Sequence, residues 1–256
     1  MGGPIDEQEL RQRALAGVRH EVEAFGSAAP DSRLVRDDGL LAAIVPATPL
    51  RSVFNSVFYS YPAALAREHG TLATAYEAAG VRAWTVWVPA GDRASADLLA
   101  ERGHVLDGVP RAMALDLAEL GPGPPRPGGV EAAPVEPPAV AALNDRAYGF
   151  GGEEAFRAAF AGETAARWHG AWAAGEPVAC AGTIDAGDDC CVTGVATLPE
   201  FQRRGIAGWL LRRALAEARE RGMRTASLRA SKAGAPAYER LGFLDLGCVE
   251  MWELRR

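Results

Sequence analysis

The stretch Val192-Thr-Gly-Val-Ala-Thr-Leu-Pro-Glu-Phe-Gln-Arg-Arg-Gly-Ile-Ala-Gly-Trp-Leu-Leu211 decides how the fold of this chain is interpreted. It opens with an apolar, β-branched run, Val192–Leu198, which is typical of a strand. Pro199 cannot continue a sheet ladder, so the strand is expected to end there. From Ile206 onward the apolar residues recur with the spacing of one helix face. The sequence therefore predicts a strand and a helix joined by a turn that contains Gln202–Ala207.

This turn has the properties of an anion-binding site. The first amides of a helix have no intrahelical acceptor, and the helix start carries a partial positive charge. Gly205 has no side chain, so a phosphate can approach the backbone closely. Arg203 and Arg204 add two positive charges. These features together predict a site for a di-anionic group such as a pyrophosphate. The turn is neither a nucleoside-triphosphate loop nor a dinucleotide fingerprint, because the Gly-Lys-Ser/Thr triplet and the G-x-G-x-x-G pattern are both absent.

The pattern Gln202-x-x-Gly205-x-Ala207, following a strand that ends in proline, resembles the acetyl-CoA loop of the GCN5-related N-acetyltransferase (GNAT) superfamily. The alternative is a generic strand–turn–helix with basic residues on its surface. The elements predicted over 130–256 follow the GNAT order: a strand, two helices, three antiparallel strands, then a helix, a strand, a helix and closing strands. The resemblance implies an α/β acyl-CoA N-acyltransferase fold, with a mixed, mostly antiparallel central sheet flanked by helices.

The two halves of the chain look like copies of one pattern. Aligning the strand that begins at Gly80 with the one at Gly222 places 60–65 where the Gln202–Ala207 turn lies. The earlier segment lacks the arginines and the glycine, and Pro62 removes a backbone donor. We expect a degenerate, GNAT-like N-terminal half that no longer binds CoA; the alternative is that any two α/β halves look this similar.

The clearest linker is the proline- and glycine-rich segment 119–129, which has no apolar period. It predicts a degenerate GNAT-like domain over 1–118 and a catalytic GNAT domain over 130–256.

The resemblance also implies which residues bind the coenzyme. In GNAT enzymes the strand before the loop bulges, and a free backbone amide there holds the acetyl carbonyl. Gly194 provides local backbone freedom for such a bulge. Lys232, beside Ser231, could contact the phosphates or pantetheine, although a solvated charge is the alternative. The predicted coenzyme-binding residues are Val195, Ala196, Thr197, Gln202, Arg203, Arg204, Gly205, Ile206, Ala207, Gly208 and Lys232.

Tyr238 is the predicted catalytic residue. It lies in a Y-x-x-x-G-F segment that ends at Phe243 and resembles the family segment whose tyrosine protonates the departing CoA thiolate. A phenol with a pKa near 10 is a reasonable donor to a thiolate as it forms. The alternative is a tyrosine packed on an apolar helix face.

The acceptor side is less defined by the sequence. The resemblance places Tyr148 and Phe150 in the acceptor cleft. Four carboxylates are candidate general bases by rough position, each of which could be a surface group: Glu153, Glu154, Asp185 and Glu176. Four residues of the first half could reach the cleft or serve core packing: Asn55, Tyr59, Trp84 and Trp87.

Composition restricts the partners. A net charge of -6 argues against nucleic acid and mildly favours a cationic acceptor. The sequence shows neither a signal-peptide pattern nor a long apolar run, so we expect no membrane partner and a cytoplasmic location. The four cysteines form no C-x-x-C pair and are expected to be buried free thiols. The four histidines show no metal-ligand spacing, so no metal is expected.

Together these patterns predict an acyltransferase of tandem GNAT form. Acetyl-CoA would be the acyl donor, and the acetyl group would pass directly to an amine of a small molecule or peptide. We expect a monomer or homodimer. The alternative is a non-catalytic acyl-CoA-binding or regulatory protein, and the sequence does not identify the acceptor.

Overall fold

The computed structural model describes residues 5–149, 151, 153–160 and 165–256. Phe150, which was predicted to line the acceptor cleft, lies outside the described residues. The chain divides into two compact units. Among the described residues, unit 1 comprises 5–17, 111–149, 151, 153–157 and 165–246, and unit 2 comprises 18–110, 158–160 and 247–256.

The chain is mixed α/β, as predicted, with helices placed between groups of strands. The helices are α1 Glu7–Ala28, α2 Pro62–Ala78, α3 Arg93–Glu101, α4 Pro137–Tyr148, α5 Glu153–Ala159, α6 Ile206–Glu220 and α7 Ala235–Glu239. The strands are β1 Arg33–Asp37, β2 Leu40–Ile44, β3 Ser56–Tyr59, β4 Ala83–Pro89, β5 Val105–Gly108, β6 Arg111–Asp116, β7 Val130–Pro134, β8 Ala166–Ala173, β9 Glu176–Ala186, β10 Asp189–Thr197, β11 Thr225–Ala230 and β12 Leu244–Arg255. No helix among these is long and apolar enough to cross a membrane.

The sheet of unit 1 has the order β6-β11-β10-β9-β8-β7. Strands β10 and β11 run parallel, with α6 as the connection between them, and the other neighbours are antiparallel. The apolar stripe of α6 is buried, and its Leu211 and Leu215 share one core with Val192 and Leu228 of the two parallel strands. This burial fixes the start of α6 beside the end of β10.

Unit 2 has the same local topology. Its strands are ordered β1-β2-β3-β4-β12, and β5 also pairs with β12. Strands β3 and β4 are parallel and are connected through α2, as β10 and β11 are connected through α6. Here the helix begins with Pro62 after an extended Tyr61, whose side chain makes no cap hydrogen bond. The N-terminal half therefore resembles a GNAT domain in structure, and its helix start lacks the glycine of the other copy.

Each unit takes a strand from the other side of the 119–129 linker. Strand β6 precedes the linker but pairs with β11 in unit 1, whereas the end of β12 pairs with β4 in unit 2. The compact units therefore differ from a division by chain order. The domain boundary at 119–129 stays a prediction about the organisation of the sequence.

Candidate active site

A β-bulge interrupts β10 at the position that the resemblance implied. The antiparallel register with β9 runs from Thr193 opposite Gly182 to Ala196 opposite Cys180, so β10 holds one residue more than its neighbour. Gly194 lies within this bulge with a φ of 57°, a left-handed conformation that favours glycine. The extra residue disrupts the regular ladder, so Gly194 and Val195 have no partner in the register with β9.

The other edge of β10 opens just before the bulge. Parallel pairing between β10 and β11 extends from Asp189 to Cys191 and ends there, although β10 continues to Thr197. The bulge therefore lies where β10 has separated from β11. Polar backbone groups at such an opening are available to a ligand.

Two side chains contact the bulge, and a third supports one of them. Helix α4 ends at Tyr148 because Gly149 adopts a left-handed conformation, and the Tyr148 hydroxyl donates to the carbonyl of Val195 at 2.6 Å. The Cys180 thiol donates to the carbonyl of Gly194 at 3.4 Å. Asn144, one turn before Tyr148, donates through Nδ2 to Cys180 Sγ at 3.5 Å. Burial raises the pKa of Cys180 to about 12, so the thiol keeps its proton at neutral pH.

The turn after β10 presents an open helix start. Gly205, with a φ of 77°, precedes α6, and the first helical hydrogen bond runs from the amide of Trp209 to the carbonyl of Gly205 at 3.0 Å. The amides of Ile206, Ala207 and Gly208 precede that bond and have no intrahelical acceptor. This geometry suits an anion at the end of the helix.

The charged residues of the turn differ in their surroundings. Arg204 bends back, donating to the carbonyl of Glu200 at 2.6 Å and lying 5.0 Å from the ring centroid of Phe201. Arg203 has a φ of 59° and is exposed, and its guanidinium has no ion-pair partner in the described part of the chain. Gln202 donates to the carbonyl of Thr197 at 3.1 Å, which ties the turn to the end of β10. Arg203 is therefore the freer of the two cations.

The linker packs along the start of α6. A Cβ on Gly205 would lie 3.6 Å from Pro124 Cβ, and one on Gly208 would lie 3.3 Å from Pro124 Cγ. Arg212, one turn further along, donates through Nε to the carbonyl of Gly121. The small size of Gly208 is thus explained by this packing, while its predicted coenzyme contact stays a prediction.

Tyr238 lies on α7, half-buried against the core that α6 covers. Its ring makes an edge contact with Phe243, with centroids 6.0 Å apart. Burial raises the pKa of Tyr238 above its usual value, and the nearby Tyr148 phenol adds to this effect. The structure thus brings Tyr238 and Tyr148 within electrostatic range of each other.

Aromatic side chains surround the bulge. A Cβ on Gly194 would lie 2.8 Å from Trp168 Cζ3, and one on Gly182 would lie 2.5 Å from the same atom. Phe156 of α5 lies beside Trp168, with ring centroids 6.2 Å apart. Neither Trp168 nor Phe156 was predicted as a site residue from the sequence. The two glycines in facing strands were the available signal, because such a pair leaves room for one large ring.

The structure also locates the candidate general bases and the candidate coenzyme contact Lys232. Asp185 accepts two hydrogen bonds from Arg221, at 2.7 and 2.9 Å, and the guanidinium lowers the pKa of this carboxyl. It also stands opposite Cys190, several residues from the bulge, so it is not placed as a general base. Glu154 and Glu176 are exposed. Lys232 is exposed in the turn after β11, where the neighbouring Ser231 hydroxyl accepts a bond from the Gly234 amide.

The four residues of the first half are engaged within unit 2. Asn55 accepts from the Val45 amide, and Tyr59 donates to Asp92 at 2.6 Å. Trp84 stacks on Tyr76, and Trp87 donates to the Ser56 hydroxyl. These contacts account for the four residues through packing and hydrogen bonding.

Across 5–149, 151, 153–160 and 165–256, no cluster of three or more His, Cys, Asp or Glu could hold a metal ion. Cys180, Cys190 and Cys191 are buried free thiols, whereas Cys248 is only half-buried. The expectation of four buried thiols was therefore wrong for Cys248, which lies in the less covered stretch of β12.

A mixed sheet whose parallel pair opens at a bulge, followed by a glycine turn at a helix start, defines the acyl-CoA N-acyltransferase fold. Residues 138–243, less than half of the chain, match the sequence profile of the acetyltransferase (GNAT) family. This match supports acetyltransferase activity in general terms. A search of curated proteins found no match to the chain.

Solved structures share the fold over both halves. A GCN5-related N-acetyltransferase from Kribbella flavida is 20% identical, with a TM-score of 0.67 over 94% of this chain and 95% of its own. One from Sphaerobacter thermophilus is 20% identical, with a TM-score of 0.61 over 85% and 76%. A tandem GNAT protein from the clavulanic acid biosynthesis pathway is 15% identical, with a TM-score of 0.55 over 98% and 97%. At these identities the likeness concerns the fold.

Proposed function

We propose that this protein is an acetyl-CoA-dependent N-acetyltransferase that transfers the acetyl group directly to an amine of a small molecule or peptide. One observation carries the proposal: β10 separates from β11 at a bulge and leads within a few residues to the open start of α6. A backbone donor and an anion site therefore lie on one continuous stretch. Acetyl-CoA, with a thioester at one end and phosphates at the other, needs both.

The residues at the start of α6 fit the phosphate end. The amides of Ile206, Ala207 and Gly208 would bind phosphate oxygens, and Arg203 would supply a positive charge. Gly205 leaves this end of the helix open, since even an added Cβ would meet Pro124 only at ordinary contact distance. Bound acetyl-CoA would supply an activated acetyl thioester.

The bulge fits the acetyl end. The trans peptide between Gly194 and Val195 is planar, so its N–H points opposite to its carbonyl. That carbonyl is held by the Cys180 thiol, which directs the Val195 amide away from β9. In this role the amide would stabilise the negative charge that develops on the carbonyl oxygen during attack.

Tyr238 would return a proton to the departing sulfur. Because burial raises its pKa, the phenol remains protonated throughout the neutral range and can act as a donor. Tyr148, Trp168 and Phe156 would shape the acceptor side of the bulge. The proton lost by the amine is not assigned to a side chain, and Asp185 is committed to Arg221.

The test is release of free CoA thiol from acetyl-CoA with a panel of amines, including polyamines, aminoglycosides, amino acids and peptides. We expect at least one amine to be acetylated by the wild-type protein. Binding of acetyl-CoA without acetylation of any amine would favour the alternative of a non-catalytic acyl-CoA-binding or regulatory protein. Failure of acetyl-CoA to bind at all would refute both functions.

The remaining assignments belong to the same proposal. We propose acetyl-CoA and an amine as the partners, with neither nucleic acid nor a membrane, and a monomer or homodimer in the cytoplasm. The Lys232 contact with the coenzyme and the acceptor role of Phe150 stay predictions.

A further inference from the structure

We propose that Asn144, Cys180 and Tyr148 form a clamp that orients the bulge of β10 and so prepares the Val195 amide for the thioester carbonyl. The inference rests on the proposed function and assigns these three residues as positioning residues. None of them belongs to the coenzyme loop. They act through the backbone that they hold.

The first element of the clamp is a chain of two hydrogen bonds. Asn144 Nδ2 donates to Cys180 Sγ at 3.5 Å, and the Cys180 thiol donates to the Gly194 carbonyl at 3.4 Å. Both side chains are buried, and the raised pKa keeps the thiol protonated so that it can donate. Asn144 itself is oriented by a second bond from Nδ2 to the carbonyl of Val140 at 3.0 Å.

The second element is the Tyr148 hydroxyl. It donates to the carbonyl of Val195 at 2.6 Å and therefore fixes the next peptide in the chain. Asn144 and Tyr148 are four residues apart on α4 and share one helix face. A single helix thus holds two consecutive carbonyls of the bulge, one directly and one through Cys180.

The hydrogen bonds to the Gly194 and Val195 carbonyls together fix the direction of the Val195 amide. A bulge peptide without ladder partners can rotate, which would turn the Val195 amide out of position. Rotation of this peptide would break the bond from Cys180, and movement of Val195 would break the bond from Tyr148. The clamp therefore supplies the preorganisation that an oxyanion donor requires.

The experiment compares Tyr148→Phe, Cys180→Ala and Cys180→Ser with the wild-type protein. We expect Tyr148→Phe and Cys180→Ala to lower kcat roughly 10-fold while the KM for acetyl-CoA changes less than about 2-fold, because positioning and not coenzyme binding is impaired. Cys180→Ser keeps a donor of similar size, so it should recover most of the kcat that Cys180→Ala loses. Cys248→Ala and Tyr61→Phe are matched controls outside the site and should retain wild-type kcat.

A second readout does not depend on turnover. In acetyl-CoA labelled with ¹³C at the carbonyl, the resonance should shift on binding to the wild-type protein and shift less on binding to Tyr148→Phe, since hydrogen bonding polarises the carbonyl. Equal shifts and a kcat within 2-fold of wild type in both Tyr148→Phe and Cys180→Ala would overturn the clamp while leaving the proposed function intact. A wild-type protein that binds acetyl-CoA with no shift in the carbonyl resonance would overturn the role of Val195 as well.

Discussion

Tyr238 is the residue on which the chemical step of the proposed reaction depends. Tyr238→Phe removes the hydroxyl but keeps the ring against Phe243 and the α6 core. We expect kcat to fall about 100-fold, within the range for loss of a general acid, while the affinity for CoA stays within about 2-fold. Steady-state kinetics and calorimetric CoA titration measure the two quantities.

Tyr61→Phe provides the control for that change. Tyr61 precedes the corresponding helix of the other half and hydrogen-bonds Asp38. Its phenol should be dispensable for turnover. Equal losses in the two variants would indicate a general effect of removing phenols and would contradict a proton-donor role.

Position 194 requires glycine for two reasons, the left-handed backbone conformation and the close approach of Trp168. Gly194→Ala would place a Cβ in a left-handed backbone and 2.8 Å from Trp168 Cζ3. We expect a loss of about 2–3 kcal/mol in the free energy of unfolding, from combined backbone strain and overpacking. Urea unfolding followed by circular dichroism measures the change.

Gly187→Ala separates the two causes. Gly187 has a similar φ of 61°, but an added Cβ there meets no atom within 4 Å. Backbone strain alone should cost about 1 kcal/mol. If both variants lose the same stability, contact with Trp168 is not the reason that position 194 is glycine.

The sequence could predict single residues only where a motif spans consecutive positions. Gln202–Ala207 and the Tyr238 segment each carry their spacing in the sequence, and the bulge was located through them. Cys180 and Asn144 act in the same site from a facing strand and a preceding helix. Their contacts depend on the register between neighbouring strands. A shift of one residue in that register would turn each side chain to the other face of the sheet, and the sequence alone does not specify the register.

At the scale of elements, the turn before α6 is predicted to bind phosphate through charge as well as geometry. Arg203→Glu reverses the exposed, unpaired cation, and we expect CoA affinity to fall at least 10-fold. The difference from wild type should shrink as ionic strength rises, because exposed charges are screened. Titration calorimetry at two salt concentrations measures both effects.

Arg213→Glu is the matched control for that change. Arg213 lies on the same helix, is exposed and forms a weak pair with Glu217 at 3.5 Å. It undergoes the same charge change away from the helix start. A similar loss of affinity in Arg213→Glu would mean that net charge, and not the turn, attracts the coenzyme.

Elements with strong periodicity were predicted well, and short exposed ones were missed. The sequence predicts helix starts at 62, 138 and 206, and helices α2, α4 and α6 begin within one residue of these positions because a proline or glycine marks each start. Strands β1 and β5 were not predicted, since their side chains are mostly exposed and show no apolar alternation. The apolar pattern predicts a last strand from Val249, but β12 begins at Leu244, because Asp245 and Gly247 interrupt the apolar pattern in its first half.

For the molecule as a whole, a buried histidine pair in unit 2 couples stability to pH. His104 Nδ1 donates to the carbonyl of Trp252, so its Nε2 must accept from His69 Nε2, 3.0 Å away. This arrangement requires the His104 ring to be neutral, because its Nε2 must keep a lone pair. Within the described residues His69 Nδ1 has no hydrogen-bond partner, so a proton added there would be buried without compensation.

Burial lowers the pKa of His69 and lowers that of His104 to about 4. Since the folded pKa lies below the unfolded value near 6.5, stability is fully present above pH 6.5 and is lost as the pH falls toward 4. We expect His104 to account for about 2 kcal/mol of the loss between pH 7 and pH 5. Urea unfolding at the two pH values measures this loss in the free energy of unfolding.

The variant His104→Gln tests the assignment. It should reduce the dependence of the unfolding free energy on pH, and an unchanged dependence would exclude the histidine pair as its source.

The exchange of strands between the two halves leads to a prediction about the linker. Unit 1 contains β6 from before the 119–129 segment, and unit 2 contains the end of β12 from after it. Cutting the chain within the linker therefore leaves each unit with strands from both fragments. Gly128 and Gly129 suit an inserted protease site, because an added Cβ at either meets no atom within 4 Å. The cleaved protein should elute from a sizing column as one species in native buffer and separate into two fragments only in denaturant. Removing β6 would leave the edge of β11 unpaired and would take the buried Met113 and Leu115 out of the unit 1 core. Two folded species in native buffer would show instead that each half folds from its own sequence, as the boundary at 119–129 by itself would suggest.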